Sequence, residues 1–212
     1  TFEEHATLIE GAYHVPLVIL SLMVAVFASY MAFNVAGQAA ITEDKLRRNT
    51  LLGTGSVALG GGIWSMHFLG MTAFDLCLPV DYDPLITGLS AVPGIAAAWV
   101  ALHLLTKSRI SLAEIILGGV LVGAGIGTMH YSGMAAMEMA PLLRYDLGMF
   151  ALSIVVAVCL AMLSLWIKFG ITAATKSKKP LGKHVLLASI VMGLAISGMH
   201  YTGMAAARFV LP

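Results

Sequence analysis

The chain has 212 residues, 59% of them hydrophobic and only 11% charged, with a formal net charge of +1 and a mean hydropathy of +0.91. A water-soluble domain of this length needs far more charge to cover its surface, so the composition excludes one and requires an integral membrane protein. Near-neutral charge, with a pI near 7.8, also removes the electrostatic case for a nucleic-acid partner.

In chain order, six stretches are apolar enough to cross a bilayer, which takes about 20 such residues. They are residues 15–41, 51–74, 85–106, 113–137, 147–171 and 184–207, joined by short polar linkers. Strand-like alternation is absent, so each stretch is expected to be a helix and the fold an all-α, six-transmembrane helix bundle. Pro16 and Pro84 fall where a first helical turn tolerates proline. Pro93-Gly94 lies inside the third stretch and predicts a kink there. Cys77 in a loop and Cys159 deep in an apolar run are not expected to pair. No signal-peptide pattern opens the chain, which starts at Thr1 and reads as part of something longer.

Basic residues set the expected orientation. Lys45, Arg47, Arg48, Lys107, Arg109, Lys168, Lys176, Lys178, Lys179 and Lys183 share one set of linkers, and they are ten of the twelve. That face is expected in the cytoplasm. The opposite face carries Arg144 and Arg208 with Glu3, Glu4, Glu10, Asp75, Asp81, Asp83, Glu138 and Asp146. It is expected outside, together with the N-terminus.

The even-numbered stretches end outward on one phrase written three times: Met66-His67-Phe68-Leu69-Gly70-Met71, Met129-His130-Tyr131-Ser132-Gly133-Met134 and Met199-His200-Tyr201-Thr202-Gly203-Met204. Gly60, Gly123 and Gly193 stand seven residues before each histidine, and Ile63, Ile126 and Ile196 four before. The unit is a helical hairpin, repeated over about 15–74, 85–137 and 147–207, and residues 1–212 form one domain.

On a helix, the methionine four residues after each histidine is rotated only about 40° from it, one turn outward. Imidazole and thioether then share a face. The aromatic after the histidine turns about 100° away, and the methionine before it turns to the other side. The glycines permit the close helix approach that membrane packing uses. One Met–aromatic–Gly cluster is ordinarily packing, and one membrane histidine can simply bond a neighbouring carbonyl. Three at one depth are costly in hydrocarbon and point to a site.

Imidazole with thioether is a borderline-to-soft donor set that suits copper. The candidate metal ligands are His67, His130 and His200 with Met71, Met134 and Met204, then Met66, Met129 and Met199. His14 starts the first stretch on the outer side and is a candidate fourth donor. His103 and His184 lie near the cytoplasmic end and His5 in the outer tail, too far to join. Haem is a rival cofactor, but two axial ligands leave the third repeat unexplained. No nucleophile–base pair or paired carboxylates lie in the spans, so an enzyme is not expected of this segment. Two other readings stay open. One is a copper or cation path with an acidic mouth, for which the deeper polar residues Ser29, Asn34, Ser56 and Ser153 are few. The other is a ligand-free structural bundle.

These residues resemble the MHYT domain family, bacterial integral membrane sensor modules. Met199-His200-Tyr201-Thr202 spells the family's phrase in full. The likeness runs from Tyr13-His14 through Ala28-Ser29-Tyr30, all three motifs and their Gly-x-x-Ile lead-ins. The first copy departs with Phe68 and Leu69, and the second has Ser132 for threonine. The resemblance implies an inner-membrane sensor that binds copper through motif Met and His near the outer face. It implies sensing of a diatomic gas such as oxygen, carbon monoxide or nitric oxide. It also implies a cytoplasmic output domain, often one that makes or degrades cyclic di-GMP, in the full-length protein. No such catalytic segment is in this sequence, and Pro212 falls on the outer side. A cytoplasmic output domain would therefore need a further span. Oligomeric assembly is left open.

Overall fold

The computed structural model describes residues 8–138, 142–175 and 182–210. Within them the chain is all-α, apart from short strands at one end. The elements run β1 (Ala12–Tyr13), α1 (Val15–Ala40), α2 (Lys45–Thr72), β2 (Phe74–Asp75), β3 (Asp81–Tyr82), α3 (Pro84–Leu89), α4 (Ala91–Leu105), α5 (Leu112–Ala135), β4 (Met137–Glu138), β5 (Leu142–Tyr145), α6 (Leu147–Thr175), α7 (Gly182–Ala206) and β6 (Ala207–Val210).

Local chemistry sets the helix ends. Asp44 accepts a bond from the Leu46 amide and starts α2 at Lys45, several residues before the apolar run begins. Ser111 and Glu114 form a reciprocal capping box at the start of α5, and Lys107 pairs with Glu114 beside it. The third rod is broken, but not at Pro93-Gly94 as the sequence suggests. It breaks at Ser90, between α3 and α4. Pro93 has no amide hydrogen to offer Leu89, and its ring crowds that carbonyl, so the disturbance falls one turn earlier than the proline itself.

Among the described residues, five helical rods are long and apolar enough to cross a membrane: Val15–Ala40, Pro84–Leu105, Leu112–Ala135, Leu147–Gly170 and Gly182–Ala206. The second predicted span, α2, is a 28-residue helix, but glycine, threonine and serine dilute its hydropathy. It packs between α1 and α4. The six rods close into a ring in the order α1, α2, α3–α4, α5, α6, α7, with α7 back against α1. Helices α2, α5 and α7 also touch one another across the centre. The carriers of the repeated phrase therefore line the axis.

The hairpin repeat is visible as approximate threefold geometry. Each hairpin is tied at its open end by a two-stranded antiparallel ribbon: β1 with β2, β3 with β4, β5 with β6. The sequence reading placed no strands here. Each tie is completed by one backbone bond: His14 N–H to Ala73 O at 2.7 Å, Asp83 N–H to Ala136 O at 2.8 Å, Asp146 N–H to Ala206 O at 2.8 Å. At the opposite end Lys45, Arg47 and Arg48 lie in the first turn of α2, and Lys107 and Arg109 in the linker between α4 and α5. Lys176, Lys178, Lys179, Glu3, Glu4 and His5 lie outside the described residues.

Candidate metal centre

Each motif histidine sits on an axial helix and is completely buried: His67, His130 and His200 are at most 1% exposed. Their Nδ1 atoms form a nearly equilateral triangle with sides of 3.2, 3.2 and 3.1 Å. The rings meet edge to face, at 83–87°, with centres 4.9–5.1 Å apart. Dividing each side by √3 puts the nitrogens about 1.8 Å and the ring centres about 2.9 Å from the common axis. That difference is close to a full ring radius, so every Nδ1 points almost straight inward.

This arrangement is uncomfortable for imidazole alone. A neutral ring carries one N–H. If the proton is on Nε2, three lone pairs confront one another in a dry interior. If all three are on Nδ1, protons crowd the axis; with mixed tautomers an Nδ1–H can donate to a neighbouring Nδ1, the partial relief that spacings of 3.1–3.2 Å allow. None of the three Nε2 atoms has a hydrogen-bond partner among the described residues. A cation on the axis removes the lone-pair conflict. The equidistant point lies about 1.8 Å from each nitrogen, close to the metal–imidazole length of about 2.0 Å. The ligand nitrogens of all three lie within 4.8 Å of one another, close enough to share one ion.

The outer end of each ring is set by a glycine of the following repeat. A methyl added at Gly133 would fall on His67 Nε2, one at Gly203 would lie 2.6 Å from His130 Nε2, and one at Gly70 would fall on His200 Nε2. The contact passes from the first repeat to the second, to the third and back. Gly60, Gly123 and Gly193 play a different part. A methyl there would meet the backbone of Ile95, Val158 and Val26 respectively at 2.6–2.9 Å. These glycines seat each axial helix against an outer helix of the next repeat.

The methionines divide into two groups. Met71, Met134 and Met204 are buried together in an outward cluster with Leu76 and Phe209. Met66, Met129 and Met199 belong to the main core with Ile63, Ile126 and Ile196. His14 does not join the three imidazoles. It caps α1, is exposed, and its amide bonds to Ala73. Ala73 is six residues past His67 along α2, about 9 Å further out at 1.5 Å per residue. His14 therefore holds the position that Asp83 and Asp146 hold in the other repeats.

Around the histidines stands a second symmetric layer that the sequence reading did not find. Each motif aromatic meets its histidine edge-on at 4.8 Å. Tyr131 Oη bonds Ser153 at 2.8 Å, and Tyr201 Oη bonds Ser21 at 2.7 Å. Both serines also donate to the carbonyl three residues back, as does Ser90. Ser90 is the matching serine for Phe68, which has no hydroxyl to offer it. Tyr13, Tyr82 and Tyr145 pack edge-on against Tyr201, Phe68 and Tyr131. Burial, and then the Tyr131 phenol beside it, pushes the Tyr145 phenol up to about 12. Burial also raises that of Tyr82. A signal for this layer was present: Tyr13-His14, Tyr82-Asp83 and Tyr145-Asp146 are each followed seven residues after the second member by Ser21, Ser90 and Ser153.

The chain is thus a membrane-type helix bundle with a buried, threefold histidine cluster on its axis. A profile described as a bacterial signalling protein N-terminal repeat, MHYT, matches residues 60–118, 123–182 and 193–212. The chain belongs to the MHYT family. The matched units begin at the lead-in glycines Gly60, Gly123 and Gly193, so the first two run from an axial helix into the outer helix it grips, while the third ends after α7. The chain is 42% identical over 204 residues to the bifunctional diguanylate cyclase/cyclic di-GMP phosphodiesterase MucR of Pseudomonas aeruginosa, covering 95% of this chain and 29% of that protein. It is 36% identical over 203 residues to the signalling protein YkoW of Bacillus subtilis (95% and 25% covered). It is 33% identical over 200 residues to the cyclic di-GMP phosphodiesterase NbdA of P. aeruginosa (94% and 25% covered). The chain thus spans less than a third of these relatives, which carry cyclic di-GMP enzymes by name in two cases. No solved structure matches it.

Proposed function

We propose that this chain is a metal-dependent sensory module that binds one copper ion on the bundle axis through Nδ1 of His67, His130 and His200. The observation that carries the reading is the inward, fully buried Nδ1 triangle. Met71, Met134 and Met204 stand one turn further out and offer thioethers from that side. Met66, Met129 and Met199 line the opposite, inner side. Copper held there would supply a redox-active centre with room for a small ligand, and oxygen, carbon monoxide or nitric oxide fits that description.

In the membrane the module has six spans, α2 included, because α2 is as long as its neighbours and closes the ring between α1 and α4. The basic linkers face the cytoplasm, and the ribbon-tied end, with the N-terminus, faces outward. The core beneath the histidines is filled by methionine and isoleucine, which supports sensing over permeation. Each ring rests on a glycine of the next repeat, so a change in ring position moves all three axial helices together. Those helices run to the basic turns, where a cytoplasmic signalling domain would read the movement. Likeness to MucR and NbdA makes a cyclic di-GMP enzyme the favoured output.

Copper analysis of detergent-purified protein tests the reading. Wild type is expected to retain about one copper per chain after chelator washing, and the His67→Ala/His130→Ala/His200→Ala protein none. Equal retention by both would overturn it.

A further inference from the structure

The centre is nearly threefold, but its outer surroundings are not. At the first repeat a cleft of about 460 Å³ opens on the outer face, walled by His14, Met71, Asp75, Leu78, Tyr82 and Met137. Met71 belongs both to this cleft and to the buried methionine cluster over the histidines. On the other side of the first ribbon, the seam with the third repeat is closed. Ile9 N–H bonds Phe209 O at 3.0 Å, Leu8 bridges to Val210, and Phe74 packs on Phe209 with centres 5.8 Å apart. The first repeat is also the one whose N-cap residue is a histidine with no side-chain capping bond, and whose motif carries Phe68 and Leu69.

We propose that this cleft is the loading port through which a soft monovalent cation, Cu(I), reaches the axial centre. This rests on the metal reading above and adds a route and a side to it. The rim carries the donors such a cation meets first, an exposed imidazole at His14 and the carboxylate of Asp75, one oxygen of which accepts the Cys77 amide at 2.7 Å. The thioether of Met71 is the only sulfur in the wall with a place in the inner cluster; Met137 packs on that cluster only partly buried. The cation would pass from carboxylate and imidazole at the rim to the Met71 thioether and then to the three imidazoles, donors that suit Cu(I) and its surrogate Ag(I). Among the described residues this route runs between the first repeat and the second, which contributes Tyr82 and Met137 to the wall.

The test follows Cu(I), supplied as its bicinchoninate complex, into purified protein, reading both loading rate and final copper per chain. His14→Ala and Leu78→Trp are expected to slow loading roughly tenfold and leave the final content at the wild-type level. A third form guards against misfolded variants: folded Cys159→Ser protein, with exposed Cys77 capped by a bulky maleimide, is expected to load slowly as well. Leu76 and Leu78 beside that thiol both line the cleft. Wild-type loading rates in both His14→Ala and the capped protein would overturn the port and leave the metal centre standing. Failure of the unmodified protein to hold any Cu(I) would overturn the centre and the port together.

Discussion

The tightest constraints in this molecule are single side chains. Gly70, Gly133 and Gly203 leave just enough room for an imidazole of a neighbouring repeat, so a methyl at any of them displaces a ring that defines the centre. Gly133→Ala is expected to cost about 1–3 kcal/mol by overpacking and to weaken copper binding, measured by thermal unfolding with and without copper. Gly61→Ala is the control. Nothing lies within 4 Å of its added carbon, so helix propensity alone should leave it neutral or up to about 1 kcal/mol more stable. The phenol–serine bonds yield a second prediction. Tyr201→Phe removes the bond to Ser21 and should cost about 0.5–1.5 kcal/mol. Phe68→Tyr should recover a similar amount by giving Ser90 the partner its counterparts have. A melting temperature for Phe68→Tyr below that of wild type would show that the first repeat has diverged further than its backbone indicates.

Between elements, two features hold the rods in place: glycine seats and ribbon ties. Gly193→Ala would press a methyl onto the Val26 backbone, which cannot rotate away as a side chain can. Its melting temperature should fall by the same amount with and without copper, whereas the Gly133→Ala deficit should be larger with copper. The ribbons predict a pH effect. The phenol of Tyr145 is raised to about 12 in the fold, against about 10 when the chain is unfolded. The fold favours the neutral phenol, so this contribution is whole below about pH 10 and is lost as pH rises through 12. Thermal stability should decline across that window, and Tyr145→Phe should flatten the decline. Much of this level was legible in the sequence. The spacing of the lead-in glycines announced close helix contacts, and the apolar runs announced the rods. The ribbons were not legible, because two-residue strands such as Ala12–Tyr13 carry no periodicity. The break at Ser90 was displaced from Pro93 because a proline disturbs the turn before it. The outer-helix register is a plainer miss: His14, Asp83 and Asp146 each precede by twelve residues the Val26, Ile95 or Val158 that meets a lead-in glycine.

As a whole, the molecule is three hairpins closed into a ring, and the closure turns three separate histidines into one site. The repeated phrase announced equal depth, but a linear sequence does not encode whether three faces meet. That depends on ring closure, with α7 returning to α1. A site built this way would couple ligand to fold, because copper held by all three axial helices would favour the native state. Copper at a hundredfold excess over its dissociation constant should raise stability by about 2.7 kcal/mol, and the triple histidine variant should show no such rise. X-ray absorption at the copper edge of the loaded protein reads the first coordination shell directly. The expected spectrum shows three imidazole nitrogens near 2.0 Å, lost in the triple variant. A shell made only of sulfur, or one unchanged when the three histidines are removed, would contradict the three-histidine centre.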